Sequence, residues 1–455
     1  MADVTPFKAM RYRADIALDD VVAPPYDVLS AAQAAALRAR SPYNVVHVDL
    51  PVPPGEKADD AAYARAARTL RRWRADGVLV RDEQPGIVVV DQTFSGPDGR
   101  ERTRRGFIAR LRLTSLDDRV VLPHERTHAG PKVDRLRLYR ATHTDLSQVF
   151  MLFPDDDGSA GALLDAAAAG VSEADRRTAH DGDGGRAVTA VVTGTAARRV
   201  AEALRGRPLY IADGHHRYET ALAYRDERRA MGDQSADTLM VHLCSLSDPG
   251  LTVLPAHRLV RGIASLSPEA LLERIKTYFD LVGEPVVGID ACRTALEALP
   301  ARPDPVRTFG LYLPHRETCL FVRAREPQAS ERLAAGGLSP VSAGLSVSLL
   351  HEVLLGDALG VGHDDTETHV DYAHSVSGAL ASLGAGRYGL GAFLNATPAG
   401  RVRAVAARGE VMPQKAPYFY PKLLTRHAFH ALGACVARAS RGARRGAGAA
   451  PRRAR

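Results

Sequence analysis

Asp213-Gly214-His215-His216-Arg217 gathers a carboxylate, two imidazoles and a guanidinium around one glycine. Folding needs no such cluster, whereas binding an anion does. The apolar run Leu209 to Ala212 before it suits a buried strand. The helical spacing of Tyr218, Ala221, Leu222 and Arg225 after it predicts a helix. A strand–turn–helix of this kind lets Gly214 bring the backbone close to a ligand. The helix start then offers unpaired N–H groups and the positive end of its dipole. His215, His216 and Arg217 add directional donors suited to phosphate oxygens. The competing structural reading keeps the histidines as helix caps and pairs Arg217 with Glu219 or a nearby acid. A metal reading is weaker: adjacent histidines point apart, and His216 with Glu219 lacks an evident third ligand. No metal ligand set is assigned.

Two other motifs resolve against their usual chemistry. His124-Glu125-Arg126-Thr127-His128 fits HExxH, which binds zinc only when both histidines project from one helix face. Pro123 before it and Gly130-Pro131 after it leave too little helix to hold them. Glu125 is better read with Lys132, Asp134 and Arg135 downstream. A carboxylate beside cations in a loop suits proton abstraction next to a bound phosphate, and a solvated, salt-bridged helix start is the alternative. Gly384 to Gly389, "GAGRYG", matches GxGxxG, but "LGAFLNA" follows and reads as a strand, not the helix a pyrophosphate needs. No GxxxxGK[ST] loop occurs.

The elements around these residues read as a mixture of strands and helices. Ser30 caps an Ala-rich helix from Ala31 to Arg40, after the loop chemistry of "PPYD". "YNVVHVDLP" and "GIVVVDQTF" are predicted strands, because β-branched residues cluster between breakers. "AVTAVVTGTAARRVAEAL" predicts a strand followed by an amphipathic helix. Expected segments are an N-terminal α/β segment at 1–153, a linker-like stretch at 154–186 whose middle can form a short helix, the DGHHR segment at 187–265, and a C-terminal α/β segment at 266–435. An Arg-rich tail at 436–455 is expected to be disordered.

The chain has 455 residues, 45% hydrophobic and 25% charged, as expected of a globular protein with two or three domains. Its formal charge of +7 hints at nucleic acid, but Val436 to Arg455 carries seven arginines and no acid, leaving the remainder formally neutral. Nucleic-acid binding is therefore not expected. Cys244, Cys292, Cys319 and Cys435 form no CxxC pair and suit reduced thiols in a cytoplasmic protein. No apolar leader follows Met1, and no run is long enough to span a membrane.

DGHHR resembles the box of ParB/sulfiredoxin-fold proteins, especially the free serine kinases on that fold. With "PPYDV", "HERT…PKVDR", "LPAHRLV", "LHEVLL" and "MPQKAPYFYPKL", the chain is identified as resembling domain-of-unknown-function family 1015 over all but the tail. The resemblance implies a mixed α/β (α+β) fold with a ParB/sulfiredoxin-like core around the DGHHR turn and further α/β segments on both sides. It also implies a kinase moving a phosphoryl group from ATP or ADP, with Mg²⁺, to the hydroxyl of serine or a related hydroxy amino acid. Asp213 to Arg217 would hold the phosphates and His216 would act in catalysis. Glu125, or else Asp27, would be the general base. Lys132, Arg135 and Lys415 would neutralise charge or hold the substrate carboxylate. His257 and Arg258 are further candidates, equally readable as a satisfied pair at a strand end. Alternatives are a ParB-like nucleotide-binding regulator, and a phosphatase or other hydrolase using the same phosphate pocket.

Overall fold

The computed structural model describes residues 1–432 except 57–58, 126–128, 182–183, 264–266, 363–365, 414 and 425–426. His128, Cys435 and the Arg-rich tail lie outside the described residues. The architecture is mixed α/β, built on two large sheets. The nine-stranded sheet runs Val121–Leu122, Leu209–Asp213, Val149–Phe153, Thr238–Ser245, Glu101–Arg112, Gly86–Ser95, Arg186–Thr193 and Arg177–His180, with Val4–Thr5 also paired to Glu101–Arg112. The seven-stranded sheet runs Phe279–Leu281, Thr318–Ala324, Thr308–Leu313, Leu390–Phe393, His257–Val260 and Val370–Ala373, with Val286–Val287 also paired to Thr318–Ala324.

One apolar core bridges the two sheets. Leu122, Phe150 and Tyr210 of the first pack in the same cluster as Val260, Leu311 and Leu390 of the second. Phe419, from a segment near the end of the described chain, is buried in it too. That segment pairs Tyr418–Tyr420 with Thr252–Leu254 in a separate two-stranded sheet.

Local sequence logic holds at several elements. Helix Ala31–Arg40 starts at Ser30, whose side chain accepts from Gln33 N–H while Gln33 returns a bond to Ser30 N–H. The apolar run Gly86–Ser95 is a strand buried on both faces. Strand Leu390–Phe393 follows "GAGRYG", so that motif has no helix behind it.

"YNVVHVDLP" is a correction: it forms the short helix Val46–Asp49, not a strand. Asn44 Oδ1 accepts from Val46 N–H at 3.1 Å, and Asn44 Nδ2 donates to the Asp20 carbonyl at 2.8 Å. Val45, Val46 and Val48 are fully buried, so packing overrides their β propensity. The stretch 154–186 carries helix Ser159–Ala169, with Ala160, Leu164 and Ala168 buried, and the edge strand Arg177–His180. Asp156, Asp157 and Gly158 turn the chain into that helix.

Candidate functional site

Strand Leu209–Asp213 lies parallel to Val121–Leu122, with Leu209 opposite Val121 and Tyr210 opposite Leu122. Both strands therefore leave the sheet on the same edge, one delivering Asp213-Gly214 and the other His124-Glu125. Carboxyl ends of parallel strands are where open α/β sheets place ligands. Gly214 takes φ +96°, and a Cβ there would lie 2.9 Å from the Arg217 guanidinium carbon. The positive φ is what calls for glycine here. Helix His215–Ala230 follows without a side-chain cap, and its first intrahelical bond runs from Tyr218 N–H to the Gly214 carbonyl at 3.0 Å. The first turn of any α-helix lacks i→i−4 acceptors for its N–H groups.

The side chains of the box divide into two jobs. Arg217 turns inward, donating to Asp213 Oδ2 at 2.6 Å and to the Gln148 carbonyl. His215 is buried edge-on against His124, with ring centroids 4.6 Å apart. Its Nε2 accepts from His124 N–H at 3.3 Å, which leaves the ring proton on Nδ1. Burial, and then the neighbouring His124, hold His215 far below the usual imidazole range, so it is neutral. Arg217 and His215 therefore shape the turn from behind. His216 is half-buried in the first helical turn, where its carbonyl accepts from Thr220 Oγ1 at 2.6 Å.

The segment from Met412 to Leu424 straps across this edge. Met412 N–H donates to the His124 carbonyl at 2.8 Å, and Lys415 N–H to Glu125 Oε1 at 3.4 Å. Lys422 Nζ forms an ion pair with Asp213 Oδ1. What fixes the strap is Arg104, fully buried in the nine-stranded sheet. Its guanidinium donates to the Tyr420 carbonyl at 3.2 Å, the Pro421 carbonyl at 2.8 Å and Gln92 Oε1 at 2.6 Å. Gln92 Nε2 in turn donates to the Lys422 carbonyl at 3.0 Å.

The electrostatics follow from burial and these pairings. Burial pushes the Asp213 carboxyl up, but Lys422 and then Arg217 win and hold it far below the usual range. Lys422 is displaced upward: burial opposes its charge, while Asp213 and, more weakly, Asp27 favour it. Glu125 is raised, chiefly by burial and also by Asp213, against the Lys415 N–H bond and the Lys415 and Lys422 charges. A carboxylate with raised proton affinity beside two ammonium groups can accept a proton and sit near a polyanion at once.

The fold thus gathers Glu125, Asp27, Asp213, Lys415 and Lys422. Asp27 is exposed on the turn Tyr26–Val28 and acts on Lys422 and Tyr418. Lys132 pairs with Glu219 on the helix that begins at His215. Arg135 faces inward instead, bonded to the Asp49 carbonyl at 2.8 Å and Asp134 Oδ2 at 2.6 Å, and lying 4.0 Å over the Tyr26 ring. It supports the "PPYD" turn. His257 and Arg258 belong to the second sheet, where Arg258 donates to His351 Nε2 at 3.1 Å and burial pushes its pKa down to about 10. His124 and Glu125 precede helix Ala129–Thr142, so they share no helix face. No cluster of three metal-ligating side chains occurs among the described residues.

Lys422 and Tyr418 escaped the sequence reading. The signal available was their place in the same run as Lys415, "MPQKAPYFYPKL". His374 escaped it too. It stacks on Tyr418 with centroids 3.6 Å apart, and the Lys422 ammonium lies 4.8 Å from the Tyr418 ring centre.

No curated protein matches the chain. Among solved structures, a conserved hypothetical protein from Pyrococcus furiosus is 14% identical, with TM-score 0.32, covering 67% of this chain and 91% of its own. A free serine kinase in complex with AMP is 13% identical, with TM-score 0.33, covering 68% and 89%. SbnI with a C-terminal truncation, from Staphylococcus aureus, is 9% identical, with TM-score 0.31, covering 69% and 84%. Likeness at this level carries no correspondence between individual residues. The family model described as protein of unknown function (DUF1015) matches residues 4–348, which include the Gly214 turn, Glu125 and Asp27 but not the strap. By that match, three quarters of its length, the chain belongs to the DUF1015 family.

Proposed function

We propose that the Gly214 turn binds the phosphates of an adenine nucleotide and that the chain transfers a phosphoryl group to the hydroxyl of serine or a related hydroxy amino acid. The observation that carries this reading is the meeting of Glu125, Lys415 and Lys422 over an uncapped helix start at the ends of two parallel strands. The N–H groups of that first turn and the Lys422 ammonium receive phosphate oxygens. Glu125 takes the proton of the acceptor hydroxyl. The hydroxyl oxygen then bonds to the terminal phosphorus of ATP or ADP as the bond to the departing ADP or AMP breaks. Lys415 and Lys132 balance charge on the moving group or hold the amino acid carboxylate.

Mg²⁺ carried by the nucleotide would need only one or two protein carboxylates beside phosphate oxygens, and the exposed Asp27 would supply one. Bound there, it would neutralise phosphate charge. A cytoplasmic, amino-acid-metabolic role is part of the same proposal. The test is ³¹P NMR of the protein with Mg²⁺, ATP or ADP, and serine, threonine and homoserine added singly, beside Glu125→Gln. A new phosphomonoester peak absent from the variant supports the kinase. Intact nucleotide in every sample overturns it. Phosphate release from phosphoserine without nucleotide would instead point to hydrolysis at the same turn.

A further inference from the structure

Beside Tyr418 lies a cleft of about 1110 Å³ between the two sheets. It is walled by the hairpin end at Ser95, by Tyr418 and Tyr420, and by the second-sheet elements that carry His257, His374 and Asn395. Among the described residues, no lysine or arginine lines it. Two of its polar groups are set as acceptors, beside the hydroxyls of Ser377, Tyr418 and Tyr420. His374 Nδ1 faces the Pro255 carbonyl at 3.1 Å, which fixes the proton on Nδ1 and leaves Nε2 with a lone pair. Asn395 uses its Nδ2 on the Pro305 carbonyl at 2.7 Å, leaving Oδ1 to accept. Glu297 adds a carboxylate at the wall. His257, 97% buried, lines the same space with its Nδ1 unbonded.

Such a lining rejects a phosphate or a free carboxylate and suits a flat, largely apolar group whose polar atoms include N–H donors. Aromatic rings and a volume beyond that of a nucleoside fit the same class. Tyr418 belongs to both places: it lines the cleft, and the Lys422 ammonium sits over its ring. We propose that the cleft receives the purine base of the nucleotide whose phosphates lie at the Gly214 turn, with the exocyclic amine donating to His374 Nε2 or Asn395 Oδ1. This rests on the phosphate reading above, and the acceptor amino acid is thereby left to the Glu125–Lys415 side.

The experiment titrates the intact protein with adenosine, with inorganic pyrophosphate and with the diamine putrescine, following ligand binding by saturation-transfer NMR and ³¹P line width. Three proteins are compared: the natural chain, Ser377→Trp, which fills the exposed wall of the cleft, and Lys422→Met. The expected result is adenosine binding weakened at least tenfold by Ser377→Trp and little changed by Lys422→Met, with pyrophosphate showing the reverse. Pyrophosphate binding without adenosine binding overturns the base site and leaves the phosphate turn standing. Adenosine binding that Ser377→Trp leaves intact overturns it as well, as does putrescine binding in place of adenosine. Adenosine binding without pyrophosphate supports the cleft while sinking the phosphate reading.

Discussion

The ion pair between Lys422 and Asp213 is the joint on which the site depends, and a double-mutant cycle measures it. Lys422→Met keeps the apolar stem and removes the ammonium; Asp213→Asn keeps the shape and removes the charge. The two side chains are only 19% and 17% exposed, so solvent screens them weakly. Removing one partner of such a pair typically costs about 3–5 kcal/mol, because the other charge is left buried. Arg217 still holds Asp213 Oδ2 at 2.6 Å, which puts Lys422→Met near the lower end, about 3 kcal/mol. An unfolding entropy of roughly 2.1 cal/mol/K per residue over 455 residues is about 1 kcal/mol/K, so Tm should fall by roughly 3 °C. In the double variant no buried charge remains unpaired between these positions, and the combined loss should fall short of the sum by about 2 kcal/mol. Thermal scans of the four proteins at pH 7 give the answer. Additivity within about 0.5 kcal/mol would refute a coupled pair between the strap and the turn.

Other outcomes follow from the same geometry. Glu125→Gln should lower turnover by roughly 10²–10⁴-fold while leaving nucleotide affinity unchanged, read by ³¹P kinetics and a nucleotide titration. Arg104→Met strands the Tyr420 and Pro421 carbonyls; it should cost about 1–3 kcal/mol in a thermal scan and weaken pyrophosphate binding as Lys422 loosens. Burial lowers His124, His374 and His427 to about 4 and His257 and His430 to about 3, so all are neutral in the fold. The unfolded chain protonates them near pH 6.5, so their contribution is present above that pH and lost as pH falls toward 4, at about 1.4 kcal/mol per pH unit for each. A Tm that stays constant from pH 7 to 5 would contradict this. Asp145 runs the other way: burial raises it to about 7 against the Tyr139 hydroxyl and Met240 N–H, so its stabilising effect is present below pH ~4 and lost as pH rises through 7. The Tm advantage of Asp145→Asn over the natural chain should therefore grow between pH 4 and 8.

Much of this was legible locally. Ser30 with Gln33, the turn at Gly214 and the β-branched run at Gly86–Ser95 state their conformations within a few residues, because caps, positive φ and buried strands have local signatures. "YNVVHVDLP" was misread because Asn44 bonds to carbonyls at Asp20 and Val22, partners more than 20 residues away. Arg217 looked like a phosphate donor, and only the fold shows its guanidinium turned toward Asp213 and Gln148. Lys422 was invisible for a related reason. Nothing near it in the chain explains a buried lysine, since its partner lies 209 residues earlier.

That separation also sets an order of events during synthesis. Asp213 and Glu125 leave the ribosome long before the strap exists, and the Arg104 guanidinium must wait for carbonyls more than 300 residues downstream. Until then the turn is open, the buried arginine lacks these partners, and the edge that would hold phosphate carries acids without Lys415 or Lys422 to balance them. A chain stopped before residue 415 therefore has most of the fold's residues but neither strap lysine, and on the reading proposed above its phosphate site is completed only when nearly all of the described chain has been made and has docked.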